Sequence, residues 1–236
     1  MIKDALKYLV ELGQVETVTV NGQEYSTGNL QHIKHPTADP LKVNTLSGIT
    51  EYILSDFDKE SFAGTMIHVQ SPSTVSLVSS LFDDSQRETY MIAEAFKQGF
   101  AFGQFHNVEN FIIGIQSCFV RNDDADRILK IVGNIKDEAV KTYGDDGVSQ
   151  SVTAKTGIAT VDEVRVPNPV ILAPYRTFVE VAQPESSFVF RIKQGPNGPV
   201  CALFEADGGT WKLEAMARVK DFLEDKLEGT GTSVIS

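Results

Sequence analysis

The stretch "FEADGGTW" sets Glu205 and Asp207 at alternate positions, then two glycines, then the start of a helical pattern. On a strand, alternate residues share a face. Two carboxylates at a strand end can serve acid–base chemistry or hold a divalent metal. Gly208 and Gly209 could instead turn backbone N–H groups toward an anion at the helix start. A tight strand-to-helix turn explains the same residues with no ligand, and it is the simpler reading. His32 and His35 are three apart, but Pro36 follows, so a shared helical face is not expected and zinc would still lack two ligands. His68 alternates with Ile67 and Val69, which points it toward solvent, and His106 just precedes a helix N-terminus. A nucleophilic pair of Cys118 with His106 would leave the thiol on a helix with no local activating group. Asp145 and Asp146 before Gly147 lack the spaced acids and final Glu of a calcium loop, and read as a helix stop. Phosphate-loop, nucleophile-elbow, Cys-x-x-Cys and His-Glu-x-x-His patterns do not occur. Glu205 and Asp207 are thus the catalytic candidates, and no metal or cofactor is implied.

The elements that must position these residues follow from periodicity. Ile2, Ala5, Leu6, Leu9 and Val10 recur at helical spacing, with Gly13 as a stop. Asn21-Gly22 between "VETVTV" and "QEYST" is a hairpin signal. Asn44 or Thr45 can cap a helix that turns Leu46, Ile49, Ile53 and Phe57 inward. Two β runs flank Ser71-Pro72-Ser73, and "ETYMIAEAF" extends that sheet. Asn107 can cap a helix carrying Val108, Phe111, Ile112, Ile115 and Phe119. Asn122 can cap another that runs to about Tyr143, with Ala125, Ile128, Leu129, Val132, Ile135 and Ala139 inward. Its acidic first turn suits the helix dipole. A later hairpin closes through "QGPNGP". Thr210 can cap a last helix with Trp211, Ala215, Val219, Phe222 and Leu223 inward. The expectation is one α+β domain over residues 1–228 with a largely antiparallel sheet, and a flexible tail over 229–236.

One segment contradicts itself. "VPNPVILAPYRTFVEVAQPESSFVFR" has the apolar content of a buried strand, yet prolines, which cannot donate to a ladder, interrupt it. Six of the chain's nine prolines lie between Pro167 and Pro199. Short ladders "VILA", "RTFVEVA" and "SSFVFRI" remain between them. Either the prolines protect bulged edge strands from aggregation, or the ribbon is a subunit contact. In the second case Arg176, Phe178, Phe188, Phe190 and Arg191 are the binding residues, with Phe188 and Phe190 on one face and Arg191 on the other.

The composition narrows the function classes. With 236 residues, 42% of them hydrophobic and 22% charged, the chain reads as globular. Two distant cysteines exclude a disulfide scaffold. "MIKDALKYLVELG" is amphipathic and carries acids, so it reads as neither a signal peptide nor a membrane span, and a cytoplasmic location is expected. The net charge of −11 disfavours direct nucleic-acid binding. The acids are dispersed among bases, as in "DDADRILKIVGNIKDEAVK", which suits a solvated surface better than mimicry of nucleic acid.

The phrases "DDGVSQSVTAKTGIA", "VPNPVILAPYRTFVEVAQPESSFVFRIK" and "ALFEADGGTWKLEA" resemble a recurrent family of bacteriophage and prophage proteins, similar to the YfdQ-like group. The likeness is clearest from Asp145 to Ala215 and weaker in "DPLKVNTLSGITEYI". It implies a phage-encoded protein made in a bacterial cytoplasm and brings no activity or site residue with it. The expected function is non-enzymatic: a homo-oligomer that acts by binding a host protein, such as a defence component, or a small ligand. The alternative is a metal-dependent hydrolase or nuclease-like enzyme using Glu205 and Asp207.

Overall fold

The structure is a computed structural model that describes residues 2–20, 23–26, 28, 37–55, 57–58, 62, 64–82, 86–96, 99–135, 150–155 and 161–236. Its chain divides into two compact units, Met1–Ala38 and Asp39–Ser236. In the first unit, α1 (Ile2–Leu12) is followed by β1 (Thr17–Val20) and β2 (Gln23–Ser26), paired antiparallel with Val20 opposite Gln23. The strands of the expected hairpin are therefore present, while Asn21 and Gly22 lie outside the described residues.

The second unit runs β3 (Leu41–Val43), α2 (Leu46–Ser55), β4 (Met66–Ser71), β5 (Thr74–Val78), β6 (Thr89–Glu94), β7 (His106–Asn107), α3 (Val108–Cys118), β8 (Phe119–Val120) and α4 (Asp123–Gly133). It continues with β9 (Gln150–Lys155), β10 (Val161–Val166), β11 (Val170–Pro174), β12 (Ser186–Gly195), β13 (Gly198–Glu205), α5 (Trp211–Lys226) and β14 (Ser233–Ile235). Two five-stranded sheets result, β14-β4-β5-β6-β3 and β7-β13-β12-β11-β8, with β9 and β10 forming a separate hairpin. The class is α+β, and every described strand pairing is antiparallel except β14 with β4 and β3 with β6.

Both sheets share a layout: a three-stranded antiparallel meander flanked by two short edge strands. In each, the edge beside the third meander strand is a short strand that leads into a helix, β3 into α2 and β7 into α3. Each sheet has its own core. Leu46, Ile49 and Ile53 of α2 and Val219 and Leu223 of α5 cover Ile67, Val69, Val75 and Leu77 of the first. Phe111 and Ile115 of α3 and Ala125, Ile128 and Val132 of α4 cover Leu172, Phe188, Phe190, Ile192 and Leu203 of the second. The period of 3.6 in the helices and of 2 in the strands picks out these residues, as amphipathic elements require.

Several expectations fail where a local pattern ends sooner than its apolar residues do. Phe57 lies beyond the end of α2 and is 79% exposed. Phe119 belongs to β8, because α3 stops at Cys118. The helix begun at Asn122 stops at Gly133, short of the Tyr143 expected, where the Asn134 N–H donates to the Ile131 carbonyl at 3.1 Å and the Ile135 N–H to the Val132 carbonyl at 3.3 Å. Ala139, Asp145 and Asp146 lie outside the described residues, as do His32 and His35. His68 alternates with the buried Ile67 and Val69.

The tail expected to be loose ends in a strand. Ser233–Ile235 form β14, parallel to β4, with Val234 opposite Ile67 and buried in the first core. Ser233 N–H donates to the Thr65 carbonyl at 3.1 Å. Placing a charge at a buried strand position costs about 2–4 kcal/mol. Val234→Asp should therefore lower stability by roughly that amount in urea denaturation, and the amides of Ser233 and Ile235, which face β4, should exchange slowly in the native protein. Rapid exchange there would show that the pairing does not persist.

Candidate functional site

The proline-rich ribbon is three elements. Val170–Pro174 and Ser186–Gly195 are strands β11 and β12, and β12 lies at the centre of its sheet, between β11 and β13. The expected ladder "RTFVEVA" is instead a loop, residues 175–185, that leaves one sheet, reaches the other and returns. Phe178 and Val181 of this loop pack into the first core, whereas Phe188 and Phe190 of β12 sit in the second. All three phenylalanines are fully buried within the chain, so they are not the surface residues expected of a subunit contact. Their apolar area is already covered by α3, α5 and the two sheets.

A buried loop must find partners for its backbone polar groups. Gln183 supplies most of them. Its Oε1 accepts the N–H groups of Arg176 at 3.0 Å and Thr177 at 3.2 Å, and its Nε2 donates to the carbonyls of Phe178 at 3.0 Å and Val181 at 3.2 Å. Both acceptor sites and both donors of the amide are engaged. Thr177 donates its hydroxyl to the Pro72 carbonyl in the β4–β5 turn. The Glu180 carboxylate accepts the N–H groups of Leu46 at 2.6 Å and Ser47 at 2.8 Å, and the Ser47 hydroxyl as well. It thus satisfies the open N-terminus of α2, where the helix dipole favours an anion. Thr45 adds the local cap, accepting the Gly48 N–H at 3.2 Å.

At the other end of the loop, Arg176 turns back to the strand ends. Its Nη1 donates to Glu205 Oε1 at 2.7 Å and its Nη2 to the Ser186 hydroxyl. The guanidinium carbon stands 3.9 Å from the centre of the Trp211 ring and 5.7 Å from that of Phe188. Both separations are within cation–π range. The Arg176 side chain is 9% exposed and that of Glu205 is 43% exposed. Burial pushes the guanidinium below its ordinary value, opposed by the charges of Glu205 and Asp207. An arginine remains protonated even so.

Asp207 completes the cluster. Its carboxylate accepts the Gly209 N–H at 3.0 Å, closing a turn in which Gly208 and Gly209 both have positive φ. That conformation is open to glycine. Burial raises its carboxyl, but the donors outweigh it and hold the group below the usual carboxylate range: Gly209 N–H, the Ser186 hydroxyl, Trp211 N–H and the charge of Arg176. The N–H groups that could have held an external anion are thus taken by Asp207. Thr210 does not cap α5 with its side chain, which donates instead to the Asp207 carbonyl at 2.8 Å.

Residues singled out for separate reasons therefore meet at one place. Glu205, Asp207, Arg176 and Phe188 converge, joined by Ser186 and Trp211, which the sequence alone did not single out together. Phe178, Phe190 and Arg191 do not join them: Phe178 is in the first core and Phe190 and Arg191 are further along β12. Chemically the cluster is a joint in which one guanidinium faces two carboxylates. Asp207 is held as an anion chiefly by backbone and hydroxyl donors, Glu205 accepts from Arg176, and a divalent cation at Glu205 would have to compete with that guanidinium. Among the described residues, no group of three or more His, Cys, Asp or Glu side chains is assembled that could hold a metal ion. Of the two thiols, Cys201 is buried in the second core and pushed up to about 12 by burial. A thiol held neutral in this way is inert. His106 is engaged through Nε2 with the Ala101 carbonyl at 2.9 Å and packs near Phe100.

One concavity lies elsewhere. A cavity of about 290 Å³ opens between α3, β8 and α4, lined by Ile115, Gln116, Phe119, Arg121, Ala125 and Leu129. No motif in the sequence marks it, since its walls are the ordinary apolar faces of two helices.

Breaking a fully buried ion pair costs about 3–5 kcal/mol; Glu205 is partly solvated, so Arg176→Met should cost less, about 2–3 kcal/mol, in urea denaturation. Trp211 is the chain's single tryptophan, so its fluorescence should change in the same variant. A variant as stable as the parent would show that the pair contributes nothing net. Asp207 gives a pH signature. A carboxyl whose folded value is depressed contributes stability that is full above its ordinary 3.8 and lost as pH falls through the lower folded value. Asp207→Asn should therefore flatten the stability curve on its acid side and leave its shape near neutrality unchanged.

No helix among the described residues is long and apolar enough to cross a membrane. Comparison with protein-family models, with curated proteins and with solved structures gives no match for this chain.

Proposed function

We propose that the chain is a non-enzymatic, phage-encoded protein of the bacterial host cytoplasm that self-associates and acts by binding a host protein or a small ligand. The phage assignment rests on the likeness of residues 145–215 to the YfdQ-like group. The observation that carries self-association is helix α1. Its apolar residues Ile2, Leu6, Leu9 and Val10 lie on the surface, Ile2 at 80% and Leu9 at 64% exposure. An apolar helical face of this kind favours association. The polar side of α1 carries Lys3, Asp4, Lys7 and Glu11, two positive and two negative charges, which cancel. In a chain of net charge −11, this neutral helix is a place where two copies can approach without repulsion. The contact thereby moves from the 166–191 ribbon, whose phenylalanines are buried, to the first unit. A closed symmetric assembly is the common outcome of such self-complementary surfaces.

The test is mass by light scattering after size exclusion. The parent protein should elute as a discrete multiple of the monomer, and Leu6→Glu with Leu9→Glu should reduce it to the monomer with the circular dichroism of the folded chain retained. A parent that is monomeric at micromolar concentration would sink the proposal, as would a double variant of unchanged mass.

A further inference from the structure

The cavity between α3, β8 and α4 combines apolar and polar walls. Its floor is made by Ile115, Phe119 and Ala125, all buried in the second core, with Leu129 partly buried beside them. Its volume of about 290 Å³ is close to the lower end of small-molecule pockets and equals roughly ten water volumes. Two polar side chains line it, the Gln116 amide and the Arg121 guanidinium, and no carboxylate does. The Arg121 side chain is 83% exposed and pairs with Asp126 at 2.9 Å across a solvated surface. An interaction of that kind contributes little and is readily exchanged.

Two acids of α4 are engaged, Asp126 with Arg121 and Asp124 elsewhere. Asp124 accepts the backbone N–H of Ile171 at 2.8 Å and pairs with Arg127 at 3.1 Å. Asn122 accepts the Ala125 N–H at 2.9 Å and donates to the Ile171 carbonyl at 2.9 Å. Arg121 is the charged side chain among those lining the cavity. We propose that this cavity binds a small, mainly apolar monocarboxylate, its hydrocarbon part on Ile115, Phe119 and Leu129 and its carboxylate on Arg121, with Gln116 as a second donor. The residues of this site belong to the second unit and those of the proposed self-association contact to the first.

A matched series tests it: 4-phenylbutyrate, 4-phenylbutanol and 4-phenylbutylamine, titrated into the full-length protein at millimolar concentration and followed by amide chemical shifts. The acid should bind about tenfold tighter than the alcohol, which isolates the charge contribution, and the amine more weakly than either. Shifts should concentrate in residues 115–129. Arg121→Gln should bring the acid down to the affinity of the alcohol while leaving the alcohol unchanged. Leu129→Trp should fill the cavity and abolish both. Absence of binding by all three compounds would overturn the proposal. So would an amine that binds as well as the acid, or shifts that fall outside 115–129; this last readout needs only the parent protein and holds if the tryptophan variant does not fold.

Discussion

Between β11 and β12 the chain has eleven residues, 175–185, in which to leave one sheet, place Phe178 in the core of the other, and come back. A loop that crosses between two cores carries backbone N–H and C=O groups into surroundings where water cannot serve them. The Gln183 amide, with its four hydrogen bonds, folds the loop around itself and removes most of that difficulty. Glu180 then ties the tip to α2 and Arg176 ties the base to β12, β13 and α5. Arg218 adds a bond from α5 to the Ala182 carbonyl. These few polar side chains, together with Phe178 and Val181 packed in the first core, tie together two sheets whose hydrophobic clusters are separate.

This crossover explains the contradictory composition of the ribbon. Pro167 and Pro169 precede β11, Pro174 ends it, and Pro184 lies just before β12. The prolines mark the limits of strands and do not interrupt one strand. The apolar residues between Pro174 and Pro184 mimic a strand because Phe178 and Val181 serve a core, yet the partner core belongs to the other sheet. Single-chain periodicity cannot distinguish the two cases. What could have signalled the difference is polar: Glu180 and Gln183 stand within "TFVEVAQ", where a buried strand has no use for a carboxylate and an amide.

Elsewhere the legibility of the sequence follows the range of the interactions. Helices α3 and α4 are readable because their caps, Asn107 and Asn122, bond to N–H groups three residues on. The β12–β13 hairpin through "QGPNGP" is readable because Gly195 pairs with Gly198 across a two-residue turn. By contrast β14 is short, and its place is set by the parallel pairing of Ser233 with the distant Met66, which no local pattern encodes. The acids of α4 show a mixture. Their placement in the first turn suits the dipole, but Asp124 also accepts the Ile171 N–H in β11, a long-range role that charge patterning alone does not reveal.

The candidate site was legible as a set of residue types and illegible as a role. Glu205 and Asp207 do fall near one another, as alternation requires, but their chemistry is decided by a guanidinium 29 positions before Glu205. Arginine suits this position where lysine would not: its plane stacks on Trp211 while its edge forks to Glu205 and Ser186. A carboxylate engaged in such a joint is the opposite of the loosely held group that acid–base work requires. Polar residues that read as chemistry are therefore consumed in connecting the two sheets. The two surfaces proposed for recognition, the apolar face of α1 and the Arg121-rimmed cavity, are by contrast made largely from residues that periodicity alone would assign to ordinary amphipathic helices.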